Sequence, residues 1–319
     1  MSRFPIGLAI LLMFALYPAG AYAVDMEFVT VGDAGNSTDD STGSLYGSVG
    51  YVYRIGKYEV TNDQYTDFLN AMDPTGDDPR DLYNSNMESD DYGGITYTAG
   101  NLEGSKYAVK PSRGDKPVNY VSFWDACRFA NWLHNGQGSG DTEDGAYTLT
   151  ADGITNNTVT RNAGWQWAVT SEDEWYKAAY YEGGSDVYYD YPTGSNTAPT
   201  AEAPVGTDLT NGSANYGGAV GDLTDVGAYT FKPSDSPYGT FDQGGNVFEW
   251  NEAVISTSSG GFRGGSFIHD GSLHASDRLN YSPTLEDNSF GFRVASVPEP
   301  GSITMLVCGL LGLALLRRR

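Results

Sequence analysis

A loop-rich α+β fold with few helices and short antiparallel strands is predicted by three observations. Separate stretches repeat apolar residues at helical spacing, each opened by a residue type that caps helices. Short runs alternate like half-buried strands. Between them lie long polar segments drawing on 41 glycines and 23 tyrosines, with no internal repeat. These features argue for one domain over residues 24–297, long enough to bury a sizeable core.

Phe28-Val29-Thr30-Val31 reads as a first strand inside a polar, Gly/Ser/Asp-rich stretch, and Tyr51-Val52-Tyr53-Arg54-Ile55 alternates as a second. A helix follows. Thr61 and Gln64 have capping-box spacing, Tyr65, Phe68, Leu69 and Met72 share one face, and Asp73-Pro74 ends it. Residues 73–116 show little periodicity and read as a long surface insertion. In the clearest helix Ser122 is the cap, Ala126, Phe129, Ala130 and Leu133 line one face, and Asn135-Gly136 closes the C-terminus. Cys127 lies within it and reads as a small buried apolar residue. His134, in its last turn, reads as a C-terminal cap. A third helix opens at Ser171, with Glu174 completing a capping box, and runs through Trp175, Ala178 and Ala179 to Gly183-Gly184. Residues 185–296 read as short strands and long loops.

The chain has 41 acidic and 18 basic residues, a formal charge of −23. Setting aside Arg3, Glu299 and Arg317, Arg318 and Arg319 leaves residues 24–297 near −26. Such a surface repels nucleic acid and anionic lipid. It suits a calcium-containing exterior. Of the two cysteines, Cys308 falls in the C-terminal tail, so Cys127 stands alone in the body and no intramolecular disulfide is expected there.

The two ends read as addresses. Arg3, an apolar core over residues 6–16 and the small-x-small site Ala21-Tyr22-Ala23 form a secretory signal peptide cut after Ala23. At the other end, Pro298-Glu299-Pro300-Gly301 precedes an uncharged run over residues 303–316 and then Arg317-Arg318-Arg319. The arginines favour the cytoplasmic side, so the body faces outward. Residues 298–319 resemble the PEP-CTERM sorting tail. That resemblance implies an exosortase-type sorting machinery as partner, transient membrane anchoring, and export to the bacterial cell envelope or beyond.

Within the body, Lys57-Tyr58-Glu59-Val60-Thr61-Asn62-Asp63-Gln64-Tyr65, Pro117-Val118-Asn119-Tyr120-Val121-Ser122-Phe123-Trp124-Asp125-Ala126 and Ser171-Glu172-Asp173-Glu174-Trp175 stand in order. They are followed by Gly245-Asn246-Val247-Phe248-Glu249-Trp250, Arg263-Gly264-Gly265-Ser266-Phe267 and Gly291-Phe292-Arg293-Val294-Ala295. Together they resemble the formylglycine-generating enzyme family, the sulfatase-modifying factor domains, over about residues 26–296. The resemblance implies that family's C-type-lectin-like fold. It also implies its chemistry, in which a copper-holding cysteine pair uses oxygen to convert a client cysteine to formylglycine.

In the family the first of those cysteines follows the Gly-Gly-Ser serine by three positions, and the second lies five further on. Counted from Ser266, these positions hold His269 and His274. The thiolate chemistry therefore cannot run here as in the family. Imidazoles bind copper, iron or zinc, and Asp270 and Asp277 lie nearby in sequence, so a His-pair metal site is one expectation and two loop histidines the other. The resemblance also implies structural calcium. Its ligands would be the Asp242 side chain, the Gly245 and Val247 carbonyls and the Glu249 side chain. A second site would use Asn215, the Tyr216 carbonyl and Asp222. The residues alone leave open whether Asp242 and Glu249 hold a cation or accept backbone hydrogen bonds. Arg263, Arg278 and Arg293 read as partners of buried acids.

Two functions follow from this reading. One is a non-catalytic exported module binding a glycan, peptide or matrix component through Tyr- and Gly-rich loops. The other is a metal-dependent oxidase or hydroxylase using His269 and His274. The cysteine loss favours the first.

Overall fold

The structure is a computed structural model describing residues 24–269 and 271–297. The expected signal and sorting segments, residues 1–23 and 298–319, lie outside the described residues, as does Asp270. Strand β1 (Phe28–Val31) pairs antiparallel with β2 (Tyr53–Gly56), which starts two residues later than its alternation suggests. Helix α1 (Asn62–Met72) has the expected capping box. Thr61 Oγ1 accepts from Gln64 N, and the Gln64 side chain accepts from Thr61 N. Helix α2 (Asn86–Ser89) and the hairpin β3 (Ile95–Tyr97) and β4 (Tyr107–Val109) come next. Helix α3 (Phe123–His134) is capped by Ser122 with Asp125, and the short α4 (Ala151–Asn156) by Thr150. Strand β5 (Trp167–Val169) leads to α5 (Glu172–Tyr180), capped by Ser171 with Glu174.

The remaining chain is strands and loops, as expected. Two small ladders pair β6 (Tyr181–Glu182) with β7 (Val187–Tyr188), and β8 (Thr200–Ala201) with β9 (Ser213–Ala214). Then come β10 (Phe248–Ser256), β11 (Ser259–Arg263), β12 (Leu279–Tyr281), β13 (Phe290–Phe292) and β14 (Val294–Ser296). Two four-stranded sheets organise the body, in the orders β1-β2-β14-β5 and β12-β11-β10-β13. Most pairs are antiparallel; β10 with β13 and β8 with β9 are parallel. The strands β13 and β14 belong to different sheets with only Arg293 between them, so this residue sits at the sheet junction.

Several local expectations need correction. Residues 73–116 are no surface insertion. Leu82, Met87, Ile95 and Tyr107 are buried in the main core with Tyr65, Phe68 and Phe129. Their apolar residues come singly from loops and short elements, so no period reveals them. Helix α5 stops at Tyr180, short of Gly183-Gly184, because Tyr181 and Glu182 leave it to pair with β7. Helix α4 carries too few apolar residues to stand out in sequence. His134 does not cap its helix in the expected way; its Nδ1 accepts from Gln166 N at 3.1 Å. Many tyrosines belong to the interior, with Tyr53, Tyr65, Tyr147, Tyr176, Tyr180 and Tyr229 essentially inaccessible.

The recruited segment also brings acids together. Asn84 Nδ2 donates to Glu286 Oε2 at 2.5 Å. Burial, then the nearby Asp125 charge, push the Glu286 carboxyl up to about 7. Burial likewise lifts Asp125 to about 6, against the opposing Ser122 and Arg128 interactions. A carboxyl raised on folding binds its proton more tightly in the native state. Its contribution is therefore present at low pH and lost as pH rises through the folded value. Urea denaturation should show Glu286 contributing a fall in stability between about pH 4.5 and 7, a slope that Glu286→Gln flattens. An unchanged slope in the variant would contradict this account.

Candidate functional site

Three loops meet where the family resemblance places the chemistry. Residues 213–224 carry Asn215, residues 242–247 enter β10, and residues 264–269 leave β11. Main-chain bonds stitch them together. Asn246 N donates to Asn215 O (2.8 Å), Phe267 N to Asn246 O (2.8 Å), and Gly217 N to His269 O (3.1 Å). Gly245 is required by this crossing. Its φ is +112°, and a Cβ there would lie 2.4 Å from Asn215 O.

Behind the loops is a buried polar centre. Glu249 on β10 and Arg293 form an ion pair with no exposed side-chain surface. Arg293 Nε donates to Glu249 Oε2 (2.5 Å) and Nη2 to Oε1 (2.6 Å), while Trp175 Nε1 from α5 donates to Oε2 (2.8 Å). The remaining guanidinium protons reach Gly56 O and Phe241 O. One arginine thus ties both sheets and the loop before β10 around one carboxylate. Arg263 and Arg278 both bind Glu172 on α5, at 2.8 and 2.7 Å. All three arginines pair with acids, as expected.

The two histidines are placed differently. His269 is exposed, its ring against Phe248 with centroids 5.1 Å apart and its Nδ1 2.7 Å from Ser266 Oγ. His274 is half-buried against Tyr191. Its Nδ1 accepts from Ser276 N at 3.1 Å, and its Nε2 lies 3.7 Å from Asp190 Oδ1. A backbone N–H can only donate, so neutral His274 carries its proton on Nε2. Neither nitrogen of His274 is then a free lone pair for a metal. Among the described residues no group of three or more His, Cys, Asp and Glu is gathered to hold a metal ion. The donors described around His269 and His274 do not make up a copper or iron site. Cys127 is sealed inside α3, and burial pushes its thiol well up, so it stays a thiol.

The oxygen donors expected to hold calcium are engaged to different degrees. Asp242 turns its carboxyl inward, and Oδ2 accepts from Gly227 N at 2.6 Å. Burial pushes this carboxyl up to about 6. Asn215 Oδ1 is buried without a partner, while Asn215 Nδ2 donates to Asp222 O. Such an orphaned oxygen suits a cation or an ordered water. The Tyr216 carbonyl accepts from Ala219 N. The Asp222 carboxylate is engaged by Arg113 at 2.7 Å. Glu249 is engaged too, its two oxygens taken by Arg293 and Trp175. Sequence reasoning also missed Glu59, the adjoining buried acid. It stands in the first family motif, but nothing local marks it as facing Arg293 and Asp242.

The chain folds as a two-sheet, loop-rich α+β module with a buried Arg–Glu pair at the sheet junction. It belongs to the sulfatase-modifying factor family: the sulfatase-modifying factor enzyme 1-like domain matches residues 25–297. Among solved structures it is similar to CarF, at 22% identity and a TM-score of 0.53, over 86% of this chain and 99% of that one. It also matches PvdO from Pseudomonas aeruginosa, at 16% identity and a TM-score of 0.46, over 86% and 92%. A third match is Treponema denticola variable protein 1, at 20% and 0.48, over 88% and 98%. At these identities the likeness to CarF concerns the fold. No curated protein matches the chain.

Proposed function

We propose that the protein is an exported, non-catalytic binding module of the sulfatase-modifying factor family, stiffened by calcium and delivered by its signal and sorting segments. The observation that carries this reading is the state of the family's cysteine positions. They hold two histidines with separate partners, His269 beside Ser266 and His274 accepting at Nδ1 from Ser276 N. Among the described residues no helix is long and apolar enough to cross a membrane. In this reading the uncharged run over residues 303–316 supplies the anchor. For ligand binding, the body offers an open groove of about 500 Å³. It carries Asp25, Glu27, Asp63, Asp67, Asp115 and Asp225 beside Tyr58. That lining suits a cationic stretch of peptide or matrix better than an anionic glycan.

Elemental analysis of the purified full-length chain tests this against the oxidase reading. Calcium without stoichiometric copper or iron, unchanged in a His269→Ala/His274→Ala double variant, is expected. EGTA should lower the melting temperature, since a ligand that binds only the native state stabilises it by mass action. Stoichiometric copper or iron lost in the double variant, with oxygen consumption by the parent, would establish the oxidase instead.

A further inference from the structure

A cavity of about 90 Å³ lies between the start of α3, the chain before β5 and strand β10, lined by Phe123, Tyr147, Val159, Thr160, Arg161 and Glu252. It is larger than one water needs and takes a group of a few heavy atoms. Thr160 is exposed and Val159 half-buried, so the cavity reaches solvent on that side. Phe123 and Tyr147 are buried. Its charged end is Glu252. The Oε1 atom accepts from Tyr147 Oη at 2.5 Å and from Arg161 Nε at 2.7 Å. Among the described residues Oε2 accepts no hydrogen bond. The charge is unbalanced at the same place. Arg161 turns Nη1 and Nη2 to the fully buried Glu174, at 2.9 and 2.8 Å, and Nη2 also reaches Val169 O. Trp165 fixes the guanidinium from one face, 4.0 Å from the ring centroid. One guanidinium thus serves two carboxylates, which leaves one negative charge over. Burial pushes the Glu252 carboxyl up, and a cation bound beside it would favour the charged form again.

We infer that this cavity binds the end of a primary alkylammonium, its N–H groups donating to Glu252 Oε2 and its methylenes lying against Phe123 and Val159. A cation answers the surplus charge, and an N–H donor answers the free carboxylate oxygen. An anion is disfavoured, because the guanidinium already serves Glu174, Glu252 and Val169 O. One free oxygen is too few for a hard metal ion, which takes several. The cavity shares no residue with the acidic groove beside Tyr58, and binding there depends on neither calcium nor export.

Saturation-transfer NMR on the full-length chain provides the test, with n-butylammonium, n-butanol, butyrate and tetramethylammonium titrated into the parent and into Glu252→Gln. Butylammonium is expected to bind the parent at least about tenfold more tightly than butanol or tetramethylammonium, and butyrate not to bind. Tetramethylammonium keeps the charge but has no N–H, so it reports general attraction to the acidic surface. Glu252→Gln should weaken butylammonium at least about tenfold. It should also melt no lower than the parent, since Arg161 keeps Glu174 as its counter-charge. Should that variant fail to fold, the ligand series on the parent carries the test. Nα-acetyllysine amide separates two sources of the same group, and either result upholds the site. Affinity equal to that of butylammonium names a lysine side chain, and loss of binding names a free alkylamine. Tetramethylammonium binding as tightly as butylammonium, undiminished butylammonium binding in Glu252→Gln, or no butylammonium bound by the parent overturns the inference.

Discussion

Arg293→Met is expected to destabilise the protein by about 3–5 kcal/mol, the usual consequence of removing one partner of a buried ion pair. The side chain is fully buried and satisfies Glu249, Gly56 O and Phe241 O simultaneously. Its loss leaves Glu249 charged in the interior with Trp175 as its only remaining donor. A methionine fills much of the volume, so the cost is electrostatic more than steric. The double variant Glu249→Gln/Arg293→Met should lose less than the sum of the single variants, because the stranded charge is gone. Urea denaturation of the singles and the double supplies the cycle. A loss under about 1 kcal/mol for Arg293→Met would mean that Glu249 is neutral in the native state, and the pairing described here would have to be abandoned.

Trp250→Ala is expected to cost a similar amount for a different reason. Trp250 is fully buried on β10, with ring centroids 5.0 Å from Phe290 and 5.5 Å from Phe262. Its Nε1 donates to Val121 O at 3.1 Å. Truncation removes the packing of both sheet neighbours, opens a cavity and orphans the Val121 carbonyl. Buried Trp→Ala substitutions cost roughly 3–5 kcal/mol, or on the order of 10 °C in melting temperature for a domain of this size. Trp250→Phe should recover most of the packing but not the hydrogen bond. Equal melting temperatures for the Ala and Phe variants would show that the hydrogen bond carries the effect.

The body has no disulfide to draw on: Cys127 is free and buried. Its stability must come from packing, from the buried ion pairs and, in the proposal above, from calcium.

The three main helices were legible because their signals are local. The residues Thr61 with Gln64, Ser122 with Asp125, and Ser171 with Glu174 lie within one turn of the helices they cap, and the apolar faces repeat at helical spacing. The order of the motifs was enough for the fold class and the family. The expectation that His269 and His274 stand at the family's cysteine positions needs only a count along the chain. The contacts of those residues do not follow from such a count. A serine two positions from His274 turns out to commit its Nδ1. The supposed insertion at residues 73–116 supplies core residues, because isolated side chains on short elements bury themselves without leaving a period. Tertiary structure alone decided which acid Arg293 neutralises, and left Glu59 as the buried carboxylate without a donor. Arg293 and Glu59 are 234 positions apart in sequence, and only the closing of β14 onto β2 brings them together. Capping and periodicity act over a few residues and are written in the chain; the pairing of buried charges depends on which distant segments share the same low-dielectric space.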